Sequence, residues 1–396
     1  MTNEADIRIP VRISTEELER RWRAVREVMR EKKLDFLVFQ NCSNYLDGYV
    51  KWFTDLPALH NYPATVIFPR SDEMTTIWSG PRPPSDPYPP AWALRGVKKR
   101  ISVPVIPSLN YSSIFDAEKA VEELKPYKKC RIGWVGLGFI SAAFHNYLTE
   151  HLSAKFEDAT DPIDSIKAIK SDEEIKHIKE VCKMQDAAFE YALVRVQPGR
   201  RDYEVCADVR QKCMELGSEQ GLIMAGSAPY GTRGVMLYEH FGNRMIEDGD
   251  QFTILIETNG PSGFYGHISR VICLGKVSPE LEKQFELVKK AQKVTLGLLK
   301  PGADPMDIWN ANNEFMRSIG YPEETRIYAH GQGYDMVERP SLNPGETMKI
   351  QARMNISPHP AVVSDKAFAP ICDNYITSEN GQMECLHKTP QKIFVI

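Results

Sequence analysis

A chain of 396 residues exceeds what one ordinary core holds, so two domains are the expectation. Its 42% hydrophobic and 26% charged residues are those of a soluble globular protein. A net charge of -4 with both signs interspersed gives no electrostatic reason to expect nucleic acid or an anionic membrane as partner, and no apolar run approaches the roughly 20 residues that span a bilayer.

The opening stretch MTNEADIRIPVR is polar and carries both charges, unlike a signal peptide. The segment from Ser14 to Lys33 predicts an amphipathic helix with Ser14 or Thr15 as N-cap. The run LDFLVFQ (Leu34–Gln40) reads as a strand followed by the polar turn NCSN. YPATVIFP and TTIWSG read as two further strands joined by a charged turn. The stretch PRPPSDPYPP lacks backbone donors and must be a loop. A helix near Ile114–Leu124 and a strand in KKCRIGWVGLG complete an α/β pattern. The eight scattered cysteines form no CxxC pair and no small disulfide framework, which suits a reducing cytoplasm.

Beyond about residue 160 the pattern changes. Ser171 followed by Glu174 is a capping box, and Ile175, Ile178, Val181, Met184 and Ala188 recur at helical spacing. The domains are placed at 1–163 and 164–396. The second contains an internal echo: Pro198 and Pro301, Gly199 and Gly302, and Gly217 and Gly320 are each 103 residues apart. Three coincidences in register predict a duplicated unit; the plainer alternative is that Pro-Gly turns between helices are common. Strand-like runs begin at Asp250, Ser269, Met348 and Ile371, so two helix pairs covering a curved antiparallel sheet are expected.

These helices, the strand pair ending in HISR, the AHGQGYDMVERP segment and the MNISPHP and CDNYITSENG strands resemble the M24 family. That family holds methionine aminopeptidase, aminopeptidase P, prolidase, creatinase and a dimethylsulfoniopropionate lyase. The likeness covers roughly residues 165–396, with a weaker one over the smaller domain. It implies a creatinase-like N-terminal α/β domain, a C-terminal pita-bread domain, and a homodimer acting on a small molecule.

Peptidases of this family hold two divalent ions through two Asp, one His and two Glu. Such acidic pairs suit manganese or cobalt and promote ionisation of a bridging water. Here the matching positions carry Glu257 or Asn259, then His267, His330, His359 and Cys372. The resemblance therefore excludes a standard dinuclear site. It leaves two alternatives open: no metal, or one zinc or iron ion held by Glu257, His267, His330, His359 and Cys372. Creatinase lost the acidic set and works without a metal through a histidine acid/base, whose place here is His240. His240 and His330 are thus the expected catalytic residues. Arg270, Tyr334, Glu338 and Arg339 are candidate substrate contacts, with a buried ion pair as the rival role for Arg339. Cys372 is also a candidate nucleophile, against the inertness of most buried thiols. The resulting expectation is a hydrolase of a small C–N-bonded substrate. Its rivals are a lyase, an Xaa-Pro-type peptidase, or a catalytically inactive binding protein.

Overall fold

The computed structural model describes residues 11–41, 48–56, 62–80 and 91–396. The chain start, Cys42 with most of the expected NCSN turn, and the whole of the proline-rich loop lie outside the described residues. Two compact units form, Met1–Lys167 and Ala168–Ile396.

The first unit is built on a six-stranded mixed sheet in the order Val97–Val103, Met74–Ser79, Ala64–Pro69, Phe36–Asn41, Arg131–Trp134 and Lys155–Asp158. Its first helix, Thr15–Glu31, starts where Ser14 accepts the Glu17 N–H at 3.0 Å. Val38, Ile77, Ile132, Phe144 and Leu148 form the fully buried centre of one core.

In the second unit the capping box is present in both directions: Ser171 Oγ accepts the Glu174 N–H, and the Glu174 carboxylate accepts the Ser171 N–H. It starts the helix Asp172–Arg195, which is followed by Asp202–Glu215; the second pair is Pro279–Leu298 and Pro305–Ser318. The duplication extends to single hydrogen bonds. Gly199 N–H donates to Ile246 O at 2.9 Å, and Gly302 N–H to Ile350 O at 2.7 Å. Ile246 N–H returns to Arg200 O, and Ile350 N–H to Ala303 O. Both turn glycines have positive φ, +84° and +88°, where a Cβ is disfavoured.

Where one curved sheet was expected, two five-stranded sheets occur. One runs Phe394–Val395, Ile268–Cys273, Gln251–Thr258, Gly221–Ala228, Leu237–Tyr238; the other runs Glu338–Ser341, Ala329–Gly331, Asn355–Pro358, Tyr375–Thr377, Met383–Cys385. An isolated bridge, Ser269 to Cys372, links them. Side chains take over the ladder's role there. Arg270 Nη1 donates to Cys372 O at 2.9 Å, and Asn374 Oδ1 accepts the His267 N–H at 2.7 Å.

Arg270 is fully buried and its N–H groups are met by Asp373 Oδ1 and the carbonyls of Ser269, Cys372, Thr389 and Pro390, at 2.6–3.0 Å. Removing one member of such a pair strands a charge in a dry interior. Asp373→Ala is therefore expected to lower the unfolding free energy by about 3–5 kcal/mol, measured by urea denaturation; a loss below about 1 kcal/mol would show that the pair carries no structural weight.

Candidate active site

A cavity of about 430 Å³ in the second unit is walled by Leu222, Met224, Leu255, Val337 and Phe368 and carries Glu257, His267, His330 and His359 among its polar residues. Each comes from a different segment. Glu257 lies near the end of the Gln251–Thr258 strand, where pairing on both sides fixes the backbone. His267 immediately precedes Ile268–Cys273, and His330 is central in Ala329–Gly331. His359 follows Asn355–Pro358, its N–H held by Tyr328 O at 2.7 Å.

The three imidazoles face one another, with one ligand atom from each lying within 4.8 Å of the others. Ring centroids are 5.1 Å apart for His267–His359 and His330–His359, and 6.2 Å for His267–His330. His330 Nδ1 sits 2.9 Å from Gly331 O. A carbonyl only accepts, so Nδ1 carries the hydrogen and Nε2 the lone pair. His330 Nε2 lies 3.9 Å, and His267 Nδ1 3.3 Å, from Glu257 Oε1. Neither His267 nitrogen makes a hydrogen bond, nor does His359 Nε2.

Burial sets the charge states. It pushes His330 down to about 4 and both His267 and His359 well below the usual histidine range, with mutual repulsion adding to the effect on the latter two. It pushes Glu257 up to about 8, against the Gln332 hydrogen bond. At neutral pH the group is three uncharged imidazoles with free lone pairs beside a carboxyl. Buried polar atoms without partners are costly, and three converging nitrogens are what a borderline-soft divalent ion binds. The donor set fits one such ion better than a pair of hard ions bridged by carboxylates.

Several residues expected at the site lie elsewhere. His240 is exposed in the turn after the Leu237–Tyr238 strand, its ring 4.2 Å from that of Phe241, and it does not line the cavity. The strand ends at Tyr238, two residues before it, so the place implied by the resemblance falls in a turn. Arg270 is closed to substrate because its donors are already taken by protein. Tyr334 is buried with its ring stacked on Phe264 at 4.1 Å. The Glu338 carboxylate accepts the N–H groups of Tyr334 and Asp335 and pairs with buried Lys170 at 2.8 Å. A Cβ at Gly333 would collide with that carboxylate, so the HGQG turn needs its second glycine. Arg339 pairs with Glu346 at 2.5 Å.

Cys372 Sγ lies 3.0 Å from Ser357 Oγ, outside the imidazole group, and burial pushes its thiol well above the usual range; that argues against both a ligand thiolate and a nucleophile. Asn259 is occupied too, its Oδ1 accepting the N–H groups of Glu219 and Gln220, so Glu257 is the one beside the histidines. Gln332, Asn374, His387 and Asp186 support the site and escaped the sequence reading. Gln332 stood inside a quoted motif, and its burial was the missing signal. The ECLHKTP tail offered none.

Comparisons place this geometry in a family. The model of metallopeptidase family M24 matches residues 176–379, just over half of the chain. A Xaa-Pro dipeptidase of Pyrococcus furiosus is 24% identical over 311 residues, 77% of this chain and 85% of the relative. An uncharacterized peptidase of Bacillus subtilis is 22% identical over 271 residues, 67% and 75% of the two chains. The crystal structure of the prolidase from Pyrococcus horikoshii superposes with a TM-score of 0.76 at 19% identity, covering 95% of this chain and all of that one. A Xaa-Pro dipeptidase from Bacillus anthracis does so at 0.75 and 18%, covering 96% and 100%. With the model matched across the segments that carry the cavity, the chain belongs to metallopeptidase family M24 and is a hydrolase with that family's pita-bread fold.

Proposed function

We propose that the protein hydrolyses a C–N bond in a small molecule with the help of one divalent transition ion, zinc or iron, held by His267, His330 and His359. The observation that supports this is the convergence of three uncharged imidazoles, those of His267 and His330 buried and that of His359 half-buried, where the family's peptidases carry a mixed carboxylate set. Two relatives named Xaa-Pro dipeptidase carry the amide class into the proposal. The cavity size and its apolar walls restrict the substrate to a small molecule. We read the site as serving a cytoplasmic homodimer; the seven described cysteines are all free, and Tyr238, Phe241 and Met245 offer exposed apolar surface.

A bound ion would supply Lewis acidity toward a substrate carbonyl. The protein's own groups do the rest. The Gly331 carbonyl fixes the His330 tautomer so that Nε2 faces the cluster. Gln332 Nε2 donates to Glu257 Oε1 at 2.7 Å, so Glu257 carries or releases its proton at Oε2. This gives Glu257 the acid/base task first expected of His240. Leu222, Leu255 and Phe368 give the cavity an apolar wall beside the reacting groups.

The test is amine release from a panel of Xaa-Pro dipeptides, N-acyl amino acids and guanidino acids, before and after chelation. Turnover is expected to vanish on chelation and return with zinc or iron. His267→Ala and Glu257→Gln should each lower turnover by roughly 100-fold or more, whereas His240→Ala should leave it unchanged. Activity that survives chelation or depends on His240 would contradict the proposal.

The same uncharged imidazoles make the metal-free protein acid-sensitive. The folded pKa of His330 is about 4 against its usual value of 6.5, so between those values the unfolded chain binds more protons. Stability is full above pH 6.5 and is lost as pH falls through 4, by about 3 kcal/mol from this residue alone. Denaturation midpoints of chelated protein from pH 7.5 to 4 are expected to show this loss, and His330→Gln to reduce it, the part due to His267 and His359 remaining.

A further inference from the structure

Behind the cavity lies a continuous buried hydrogen-bond chain whose direction can be read from its fixed ends. His387 has no exposed side-chain surface. Its Nδ1 lies 3.3 Å from Asp186 Oδ1, and its Nε2 3.4 Å from Asn374 Oδ1. Asp186 also accepts the N–H groups of Lys388 and Thr389 and the Thr389 hydroxyl, at 2.6–3.1 Å. Burial raises its pKa, but these bonds and His387 outweigh that and hold it at about 2. It is therefore an acceptor on both oxygens.

Asn374 has only one possible orientation. Its Oδ1 accepts the backbone N–H of His267 at 2.7 Å, which a carboxamide nitrogen could not do. Its Nδ2 accordingly donates to Gln332 Oε1 at 2.7 Å and to Asn355 Oδ1 at 3.1 Å. Gln332 is oriented the same way: its Nε2 donates to Met336 O at 3.0 Å and to Glu257 Oε1 at 2.7 Å. His387 Nε2 therefore faces an oxygen that cannot donate, so Nε2 carries a hydrogen. Among the other titratable groups coupled to this network, Cys182 and Cys385 are thiols kept neutral by burial, and His267 is neutral.

We propose that His387 is a positioning residue oriented by Asp186, and that its Nε2–H starts a one-directional chain through Asn374 and Gln332 that presents an N–H to Glu257. Every dipole in the chain turns its positive end toward Glu257. The chain keeps Glu257 Oε1 an acceptor and fixes the backbone of His267 through the same Asn374 oxygen, so one buried His387–Asp186 contact sets two members of the site. Only the importance given to Glu257 rests on the proposed function; the direction of the chain does not.

The test uses the purified full-length protein with ring-15N histidine. Correlation spectra at pH 8 are expected to show His387, assigned by its loss in His387→Gln, with Nε2 protonated. An unprotonated Nε2 there would overturn the proposal. In Asp186→Asn the Gln332 side-chain amide, assigned through Gln332→Met, should shift although Asp186 does not touch it. If Asp186→Asn does not fold, His387→Gln supplies the same comparison at Gln332. A Gln332 amide unmoved in the variant that folds would reduce His387 to a local support and overturn the relay. Neither arm needs a substrate or a metal, so failure here and failure of the proposed hydrolase activity are separable.

Discussion

Everything at the site depends on the burial of the cluster formed by His267, His330 and His359. In water these imidazoles would titrate near neutrality; packed together and buried, they cannot carry charge without paying for desolvation and for repulsion from one another. Their lone pairs stay available at physiological pH, and Glu257 beside them is pushed toward its neutral form for the same reason. A carboxylate set solves the opposite problem: it concentrates negative charge that only cations can offset. Replacing it with imidazoles removes that charge and softens the donors. On the proposed reading the site changes its donor chemistry while keeping its place in the fold.

Rigid supports flank the imidazoles in sequence. Three residues after His267, Arg270 spends its guanidinium on Asp373 and four carbonyls. Eight residues after His330, Glu338 ties off the glycine turn and is neutralised by Lys170. Both charges resemble substrate contacts when only residue type and neighbourhood are considered. Their geometry makes them parts of the scaffold, and it limits how far the two strands can shift relative to the cavity.

Much of this was legible in the sequence. The Ser171–Glu174 cap, the helix pairs and the 103-residue echo are local or periodic signals, and local hydrogen bonding decides them. The convergence of His267, His330 and His359 was legible only through family motifs, because residues nearly a hundred positions apart have no local signature. His240 misled because the place implied by the family resemblance lies past Tyr238, where the chain has already turned. Arg270 misled because a saturated guanidinium and an open one are identical in sequence. The His387 chain was hidden for a related reason: its members are single polar residues on four segments, and only tertiary packing shows that they touch.

The central claim is that this chain exchanges the two-ion carboxylate centre for a one-ion imidazole centre. Anomalous diffraction from crystals grown with zinc, collected on either side of the metal edge, addresses it most directly. The account predicts one anomalous peak within bonding distance, about 2.0–2.1 Å, of a nitrogen from each of His267, His330 and His359. Two peaks bridged by Glu257, or a cavity that stays free of metal while zinc binds elsewhere on the chain, would contradict it.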